Sequence, residues 1–139
     1  MAVFSSQQEA EEVFGAFMDY VTSDPDLRPK FVAAATSFRA NYTDPDCFVS
    51  LVTTVDPPVV KRGDAARAED VEVDMFMSCE NGHKFWLGEL NIPMSLARKK
   101  VRVDGQIGKL LKLLPALQPA FAMYRTFLKE QGLERLLDE

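Results

Sequence analysis

The sequence predicts an α+β domain with antiparallel strand pairing, and three features of its hydrophobic pattern support this fold class. In residues 1–35, apolar side chains recur at intervals of three and four, as on the buried face of a helix. Over residues 36–77 the period changes to two, which is typical of strands. Helical spacing returns after residue 106. Because 47% of the 139 residues are hydrophobic, we expect one continuous core and a single domain over residues 1–139.

Two helices are predicted before the first strand. Ser6 and Glu9 have the spacing of a capping box at the start of the first helix. Asp24 and Pro25 then supply an N-cap and a first-turn proline, which predicts a second helix over residues 26–35. The chain is therefore expected to begin as a helical pair.

The middle of the chain predicts short strands joined by tight turns. Alternation between Phe38 and Tyr42 indicates the first strand, and the Asp-Pro-Asp sequence at residues 44–46 indicates a turn. Because hairpin-like turns join antiparallel strands, we expect a small meander. The further strands are predicted at residues 47–55, 59–61, 71–77 and 101–103, with turns at residues 56–58, 62–64 and 104–105 and a charged loop before residue 71.

Residues 79–87 are compatible with two structures. Ser78 can cap a helix that carries Phe85 and Trp86. The dipeptide Asn81-Gly82 instead favours a hairpin, which would make residues 83–87 a returning strand. We predict the helix, followed by a short helical turn at residues 94–98.

The last third of the sequence predicts helices interrupted by prolines. Pro115 and Pro119 each remove a backbone donor, so one continuous helix is excluded. We expect one helix ending near Leu114, a second from Pro119 to Gln131, and a short helical piece over residues 133–137. The apolar positions at helical spacing are Leu110, Leu114, Leu117, Phe121, Tyr124 and Leu128.

Composition argues against several classes of function. The net charge of −5 disfavours binding to nucleic acid. Cys47 and Cys79 have only His83 as a further soft ligand, which is too few for a zinc site. We interpret both cysteines as free thiols of a cytoplasmic protein, with a disulfide as the open alternative. No signal peptide, membrane span or C-terminal targeting tripeptide is predicted.

No catalytic motif is evident. His83 is the only histidine, and without an accompanying nucleophile we interpret it as a surface or capping residue. The stretch at residues 105–109 lacks the spacing of a phosphate-binding loop. We therefore predict no enzymatic activity, no cofactor and no metal.

One stretch of positive charge stands out in this acidic protein. Its cations are either ordinary solvated side chains or a docking edge for anionic headgroups and acyl-CoA phosphates during transient membrane contact. The residues are Arg98, Lys99, Lys100, Arg102, Lys109 and Lys112.

Four segments resemble the sterol carrier protein type 2 family. They are DVEVDM at residues 70–75, LGELNIPM at 87–94, ARKKVRVDG at 97–105 and LLKLL at 110–114. The resemblance extends from about residue 10 to about residue 115. Residues 116–139 form a helical extension beyond the usual end of the family.

The resemblance implies a five-stranded, mostly antiparallel sheet with helices packed on one face, enclosing an apolar tunnel. The implied ligands are sterols, fatty acids, acyl-CoA or phospholipids. The positions that match the tunnel wall, together with their neighbours in the later helices, are Phe85, Trp86, Leu90, Met94, Leu110, Leu111, Leu114, Leu117, Phe121 and Tyr124.

Three functional hypotheses follow. The first is a non-catalytic protein that binds, and transfers, an apolar ligand. The second is an accessory or dimerisation subunit whose cavity is filled by its own C-terminal helices, with exposed apolar residues forming a homodimer. The third is an isomerase-like enzyme that uses Asp74 beside Tyr42 or Tyr124. Asp74 falls on the polar face of its strand, which argues against this hypothesis.

Overall fold

The computed structural model describes residues 4–55 and 57–138, and in these ranges a five-stranded sheet is packed against helices. Position 56 of the turn predicted at residues 56–58 and the last residue lie outside the described ranges. The helices are α1 (Gln7–Thr22), α2 (Arg28–Ala34), α3 (Asp64–Arg67), α4 (Cys79–Trp86), α5 (Ile92–Ala97), α6 (Ile107–Leu113) and α7 (Gln118–Glu130). The strands are β1 (Ser37–Thr43), β2 (Cys47–Val52), β3 (Val59–Arg62), β4 (Val73–Ser78) and β5 (Arg102–Gly105).

The sheet has the strand order β3-β2-β1-β4-β5. The pairs β1–β2, β2–β3 and β4–β5 are antiparallel, and the predicted hairpin connections are confirmed for β1–β2 and β2–β3. The predicted meander does not extend to β4, which pairs with β1 and not with β3. Strands β1 and β4 pair in parallel because the chain passes through α3 before it returns to the middle of the sheet. The sheet is therefore mostly antiparallel, as predicted, with one parallel pair.

The two faces of the sheet differ in chemistry. Phe38, Ala40 and Tyr42 of β1 lie on one face, where they contribute to the hydrophobic core beneath the helices. Arg39 points to the other face, where its Nη1 donates to the backbone carbonyls of Arg67 and Glu69, each at 2.7 Å. These bonds hold the single-turn helix α3 against the polar face, in a region predicted as a charged loop. The long helices pack on one face, as expected.

Asp74 belongs to the polar face. Its carboxylate accepts hydrogen bonds from Arg39 Nε at 3.0 Å and Arg39 Nη2 at 2.6 Å, and also from Asn41 Nδ2. Partial burial raises the pKa of Asp74, but the bonds from Arg39 and Asn41 outweigh that effect and hold the pKa below its ordinary value. Since Tyr42 and Tyr124 both belong to the core on the opposite face, Asp74 is beside neither of them, and the isomerase hypothesis loses its acid–base pair.

Residues 79–86 form the predicted helix, α4, rather than a hairpin strand. The Ser78 hydroxyl accepts from the Asn81 backbone N–H at 3.1 Å and caps its start. Gly82 sits inside α4, where an added Cβ would lie 2.4 Å from Tyr42 Cε1. The glycine is therefore required by close helix–sheet packing rather than by a turn.

Several element boundaries differ from prediction by one to three residues, and the turn predicted at residues 104–105 lies within β5. The second helix starts at Arg28, not at residue 26, because the Asp24 carboxylate accepts from the backbone N–H groups of Asp26 and Leu27 and forms a separate turn. Strand β2 ends at Val52, because Thr53 turns to exchange hydrogen bonds with Thr36.

The C-terminal helices follow the proline positions. A 3₁₀ turn, Leu114–Leu117, joins α6 to α7, and a second one, Glu134–Asp138, ends the described chain. Helix α7 packs on α1, where the Phe17 ring lies 4.7 Å from Tyr124 and 5.4 Å from Phe127, measured between centroids. Across residues 4–55 and 57–138, no helix combines the length and apolar character needed to cross a bilayer.

Candidate ligand-binding site

An apolar cavity of about 80 Å³ lies between the sheet and the later helices. The sheet contributes one wall through inward-facing side chains of β1, β2 and β4. Helices α4, α5 and α6 and the 3₁₀ turn contribute the opposite wall. The main lining residues are Phe38, Ala40, Val49, Leu51, Met75 and Met77 from the sheet and Phe85, Trp86, Ile92, Leu110, Leu113, Leu114 and Leu117 from the helices.

The size of this inner cavity limits what it holds as it stands. Apolar cavities remain dry, and one of about 150 Å³ accommodates benzene. At about 80 Å³, the inner cavity is smaller than that benzene site. A lipid therefore needs either additional space or a movement of the wall.

Additional space is present in an outer cleft of about 680 Å³, which lies next to the inner cavity. Phe85, Ile92 and Leu114 line both spaces and therefore form the boundary between them. The rest of the cleft is lined by the α4–α5 connection, α6 and the start of α7, with polar groups at Glu89, Asn91 and Gln118.

Arg125 of α7 forms polar contacts that stabilise one side of the cleft. Its Nη2 atom donates to the Leu87 carbonyl at 3.1 Å and lies 3.4 Å from Glu89 Oε2. These contacts tie the α4–α5 connection to α7, so the cleft is bounded by elements that are linked by hydrogen bonds.

The structure places eight of the ten predicted pocket residues at one of the two spaces. Met94 does not contribute, because its side chain is 51% exposed at the start of α5. Tyr124 does not contribute either, because it is buried, with its ring against Phe17 of α1 and its hydroxyl hydrogen-bonded to His83 of α4. The inner cavity is lined by Phe85, Trp86, Leu110, Leu114 and Leu117, and the outer cleft by Phe85, Leu90, Leu111, Leu114 and Phe121.

The N-terminal helices also contribute to the inner cavity, which was not predicted. Phe14 and Met18 of α1 and Phe31 of α2 also line the inner cavity. Phe14 and Met18 lie four residues apart on the apolar face of α1, so periodicity indicates their burial. It does not distinguish lining a cavity from filling a core.

The interpretation of His83 as a surface or capping residue is wrong. His83 is 1% exposed, with Nδ1 2.7 Å from the Tyr124 hydroxyl and Nε2 2.7 Å from the Leu136 carbonyl oxygen. Because a carbonyl only accepts, Nε2–H donates to Leu136, while Nδ1 and the Tyr124 hydroxyl share the second hydrogen bond. The signal was available in the sequence, since residues 79, 82, 83 and 86 form one face of a helix.

The predicted cationic stretch divides into two groups. Lys109 forms an ion pair with Glu72 at 3.0 Å, and the bonds from Lys109 and Thr36 lower the pKa of Glu72. Arg102 stacks over the Phe76 ring at 3.9 Å and lies 3.4 Å from Asp104. The remaining cations, Arg98, Lys99, Lys100 and Lys112, are exposed.

Both cysteines are free and buried, which agrees with their interpretation as thiols. Burial, with a contribution from nearby acidic groups, raises the pKa of Cys79 to about 12, and burial also raises the pKa of Cys47. Both sulfur atoms are therefore protonated at neutral pH. Within the described part of the chain, no three His, Cys, Asp or Glu side chains are grouped to hold a metal ion.

Comparison with solved structures relates this fold to sterol carrier proteins. The sterol carrier protein domain 2 of Helicoverpa armigera has 16% identity and a TM-score of 0.66, covering 86% of this chain and 95% of its own. Sterol carrier protein 2 from Yarrowia lipolytica, in the apo form, has 14% identity and a TM-score of 0.61, covering 82% and 91%.

The sec-alkylsulfatase Pisa1 from Pseudomonas sp. also matches, with 16% identity and a TM-score of 0.57, over 70% of this chain but only 15% of the sulfatase. No family model matches the sequence, and no curated protein matches it. The chain has a sterol-carrier-protein-2-like fold, as the resemblance predicted.

Proposed function

We propose that this protein binds an apolar ligand between its sheet and its later helices and transfers it without catalysing a reaction. The observation that carries the proposal is the inner cavity, whose walls are apolar except at Ser50 and Tyr42 and which adjoins a larger cleft. The similarity to two sterol carrier proteins supports a lipid as the ligand. The ligand classes remain those that the resemblance implied: sterol, fatty acid, acyl-CoA or phospholipid.

The energetics of lipid transport explain the need for such a site. Each buried methylene contributes about 0.8 kcal/mol, so an acyl chain of about 16 carbons is held in a bilayer by on the order of 12 kcal/mol. A carrier must replace that environment with protein surface. The inner cavity and outer cleft together present apolar side chains on both sides of the Phe85, Ile92 and Leu114 boundary.

Lipid binding is testable through Trp86, the only tryptophan, which lines the inner cavity. We expect cis-parinaric acid to bind with a Kd of about 1 μM or lower, equivalent to about −8 kcal/mol, and to quench Trp86 emission by energy transfer. Titration of the purified protein measures both quantities. Native mass spectrometry of protein purified from cells is expected to show a co-purified lipid.

The control for this titration is Trp86→Phe. This variant should still enhance parinaric acid fluorescence but lose the energy transfer from tryptophan. A protein that neither carries lipid from cells nor binds the probe at saturating concentration would contradict the proposal.

The second candidate function is the accessory subunit with a self-filled cavity. The small inner volume favours it, as does Leu117, which enters the cavity wall from the 3₁₀ turn that begins the C-terminal extension. Val55, Val59 and Leu111 are exposed and offer apolar surface for a homodimer. An empty dimer in native mass spectrometry would support this function instead.

Transient membrane contact is proposed for the basic loop, which we define as Arg98, Lys99 and Lys100. These exposed residues follow α5, which carries the exposed Met94 in its first turn. Each cation near an anionic bilayer contributes about 1 kcal/mol.

Replacing all three basic-loop residues with glutamine is expected to weaken binding to phosphatidylserine-containing vesicles roughly a hundredfold. Co-sedimentation with vesicles measures this effect. Lys30→Gln, which removes an exposed charge on α2, serves as the control and should have an effect below about threefold. Equal effects on neutral phosphatidylcholine vesicles would show that charge is not the cause.

We also propose a cytoplasmic location. The two buried, protonated thiols support a reducing compartment, since neither is paired in a disulfide.

A further inference from the structure

The boundary between the inner cavity and the outer cleft restricts the shape of a ligand. The inner cavity, at about 80 Å³, is about half the volume of a cavity of about 150 Å³ that accommodates benzene, whereas the cleft beyond the boundary holds about 680 Å³. A ligand that uses both spaces must pass between Phe85, Ile92 and Leu114. A single hydrocarbon chain is narrower than a fused-ring body, so its end can enter with a smaller displacement of these three side chains.

The walls behind the boundary adapt to a chain more easily than to rings. Met18, Met75 and Met77 line the inner cavity, and unbranched methionine side chains change rotamer at low cost. A rigid body would instead have to displace packed backbone, because protein interiors are as dense as organic crystals. The cavity therefore enlarges by small side-chain movements.

The two sides of the boundary differ in their aromatic contacts: Phe85 packs against other rings, and Leu114 lies in a short 3₁₀ turn. Phe85 and Trp86 form an edge-to-face pair at 4.8 Å, and Phe85 also contacts Phe121 at 5.5 Å between ring centroids. Leu114 lies in the 3₁₀ turn before Pro115, which lacks a backbone donor. Opening at Leu114 therefore disturbs fewer packed rings than opening at Phe85.

We infer that the site takes a flexible single-chain amphiphile, with the tail end in the inner cavity, in preference to a rigid fused-ring sterol, and that Leu114 sets this preference. The inference rests on the proposed function and specifies its ligand class. The head of the amphiphile lies in the outer cleft, near Glu89, Asn91 and Gln118.

The test compares two neutral ligands that each carry one hydroxyl, so that shape rather than charge differs. Oleyl alcohol and cholesterol are titrated against bound cis-parinaric acid. Oleyl alcohol is expected to displace the probe at a concentration at least about tenfold lower than cholesterol, a difference of about 1.4 kcal/mol. Leu114→Ala should improve displacement by cholesterol and reduce this ratio to about threefold or less.

Ile107→Ala is the matched control, because Ile107 is an exposed apolar residue of α6 that lines neither the inner cavity nor the outer cleft. It should leave the ratio near the wild-type value. If Leu114→Ala does not fold, as judged by circular dichroism, Leu114→Val takes its place with a smaller change of the same sign.

Each outcome decides a separate point. Cholesterol equal to or better than oleyl alcohol on the wild-type protein would overturn the inference while leaving the proposed lipid-binding function intact. An unchanged ratio in the folded Leu114 variant, or an equal change in Ile107→Ala, would overturn the role of Leu114. Failure of parinaric acid and both alcohols to bind would overturn the proposed function itself.

Discussion

Replacing His83 with leucine is expected to lower the free energy of unfolding by about 2–6 kcal/mol. The imidazole satisfies two buried groups, the Tyr124 hydroxyl and the Leu136 carbonyl, each at 2.7 Å. Leucine makes neither bond, and each buried polar group left unpaired costs about 1–3 kcal/mol. Urea unfolding followed by Trp86 fluorescence measures the loss, because Trp86 lies in the same helix, α4.

The same substitution is expected to loosen the end of the chain. The bond from His83 connects α4 to the last 3₁₀ turn through Leu136, which is fully buried. Hydrogen exchange of the backbone amides in residues 133–137 should become faster than in the wild-type protein.

Tyr124→Phe is the control for His83→Leu. It removes the hydroxyl that faces Nδ1 but leaves the bond to Leu136, so it should cost only about 1–3 kcal/mol and should not speed exchange in residues 133–137. A change below about 0.5 kcal/mol in His83→Leu would show that the buried pair of bonds does not contribute to stability.

Gly105→Ala is the second large expected effect, with a loss of at least about 2 kcal/mol. Gly105 ends β5 with a φ of +92°, in the region that favours glycine. An added Cβ would lie 2.1 Å from the backbone carbonyl oxygen of Glu72, which accepts the Gln106 N–H at 2.8 Å. The clash is with backbone, so it can be relieved only by shifting β5 from β4.

Gly108→Ala is a matched control three residues away. Gly108 lies in α6, and an added Cβ there would have no atom within 4 Å. Alanine is favoured over glycine inside a helix, so this variant should gain up to about 1 kcal/mol. Thermal and urea unfolding of both variants provides the measurement, and an equal response at the two positions would contradict the role assigned to Gly105.

Local signals predicted most elements of the fold. Ser78 capped the predicted helix α4, and alternation located β1 and β4 within two residues of their observed bounds. The resemblance supplied the number of strands and the placement of helices. The parallel pairing of β1 with β4 was not predicted, because it depends on how α3 carries the chain across the sheet.

Candidate pocket residues were predicted less completely. Periodicity identified Leu110, Leu114 and Leu117 as inward-facing, and they do line the inner cavity. The same spacing also indicated Tyr124 as a pocket residue, but the Tyr124 hydroxyl is instead hydrogen-bonded to His83. Hydrophobic spacing reports which face of a helix is buried, whereas the partner on that face depends on the packing of distant segments.

The sequence by itself determined the fold class, the helical ends, the alternating strands and the chain breaks at Pro115 and Pro119, because these depend on residues close together in the chain. Only the tertiary structure decided that His83 is buried and that the space beneath the sheet divides into an inner cavity and an outer cleft. Cavities arise from small mismatches in packing among elements far apart in sequence, and those mismatches leave no periodic signal.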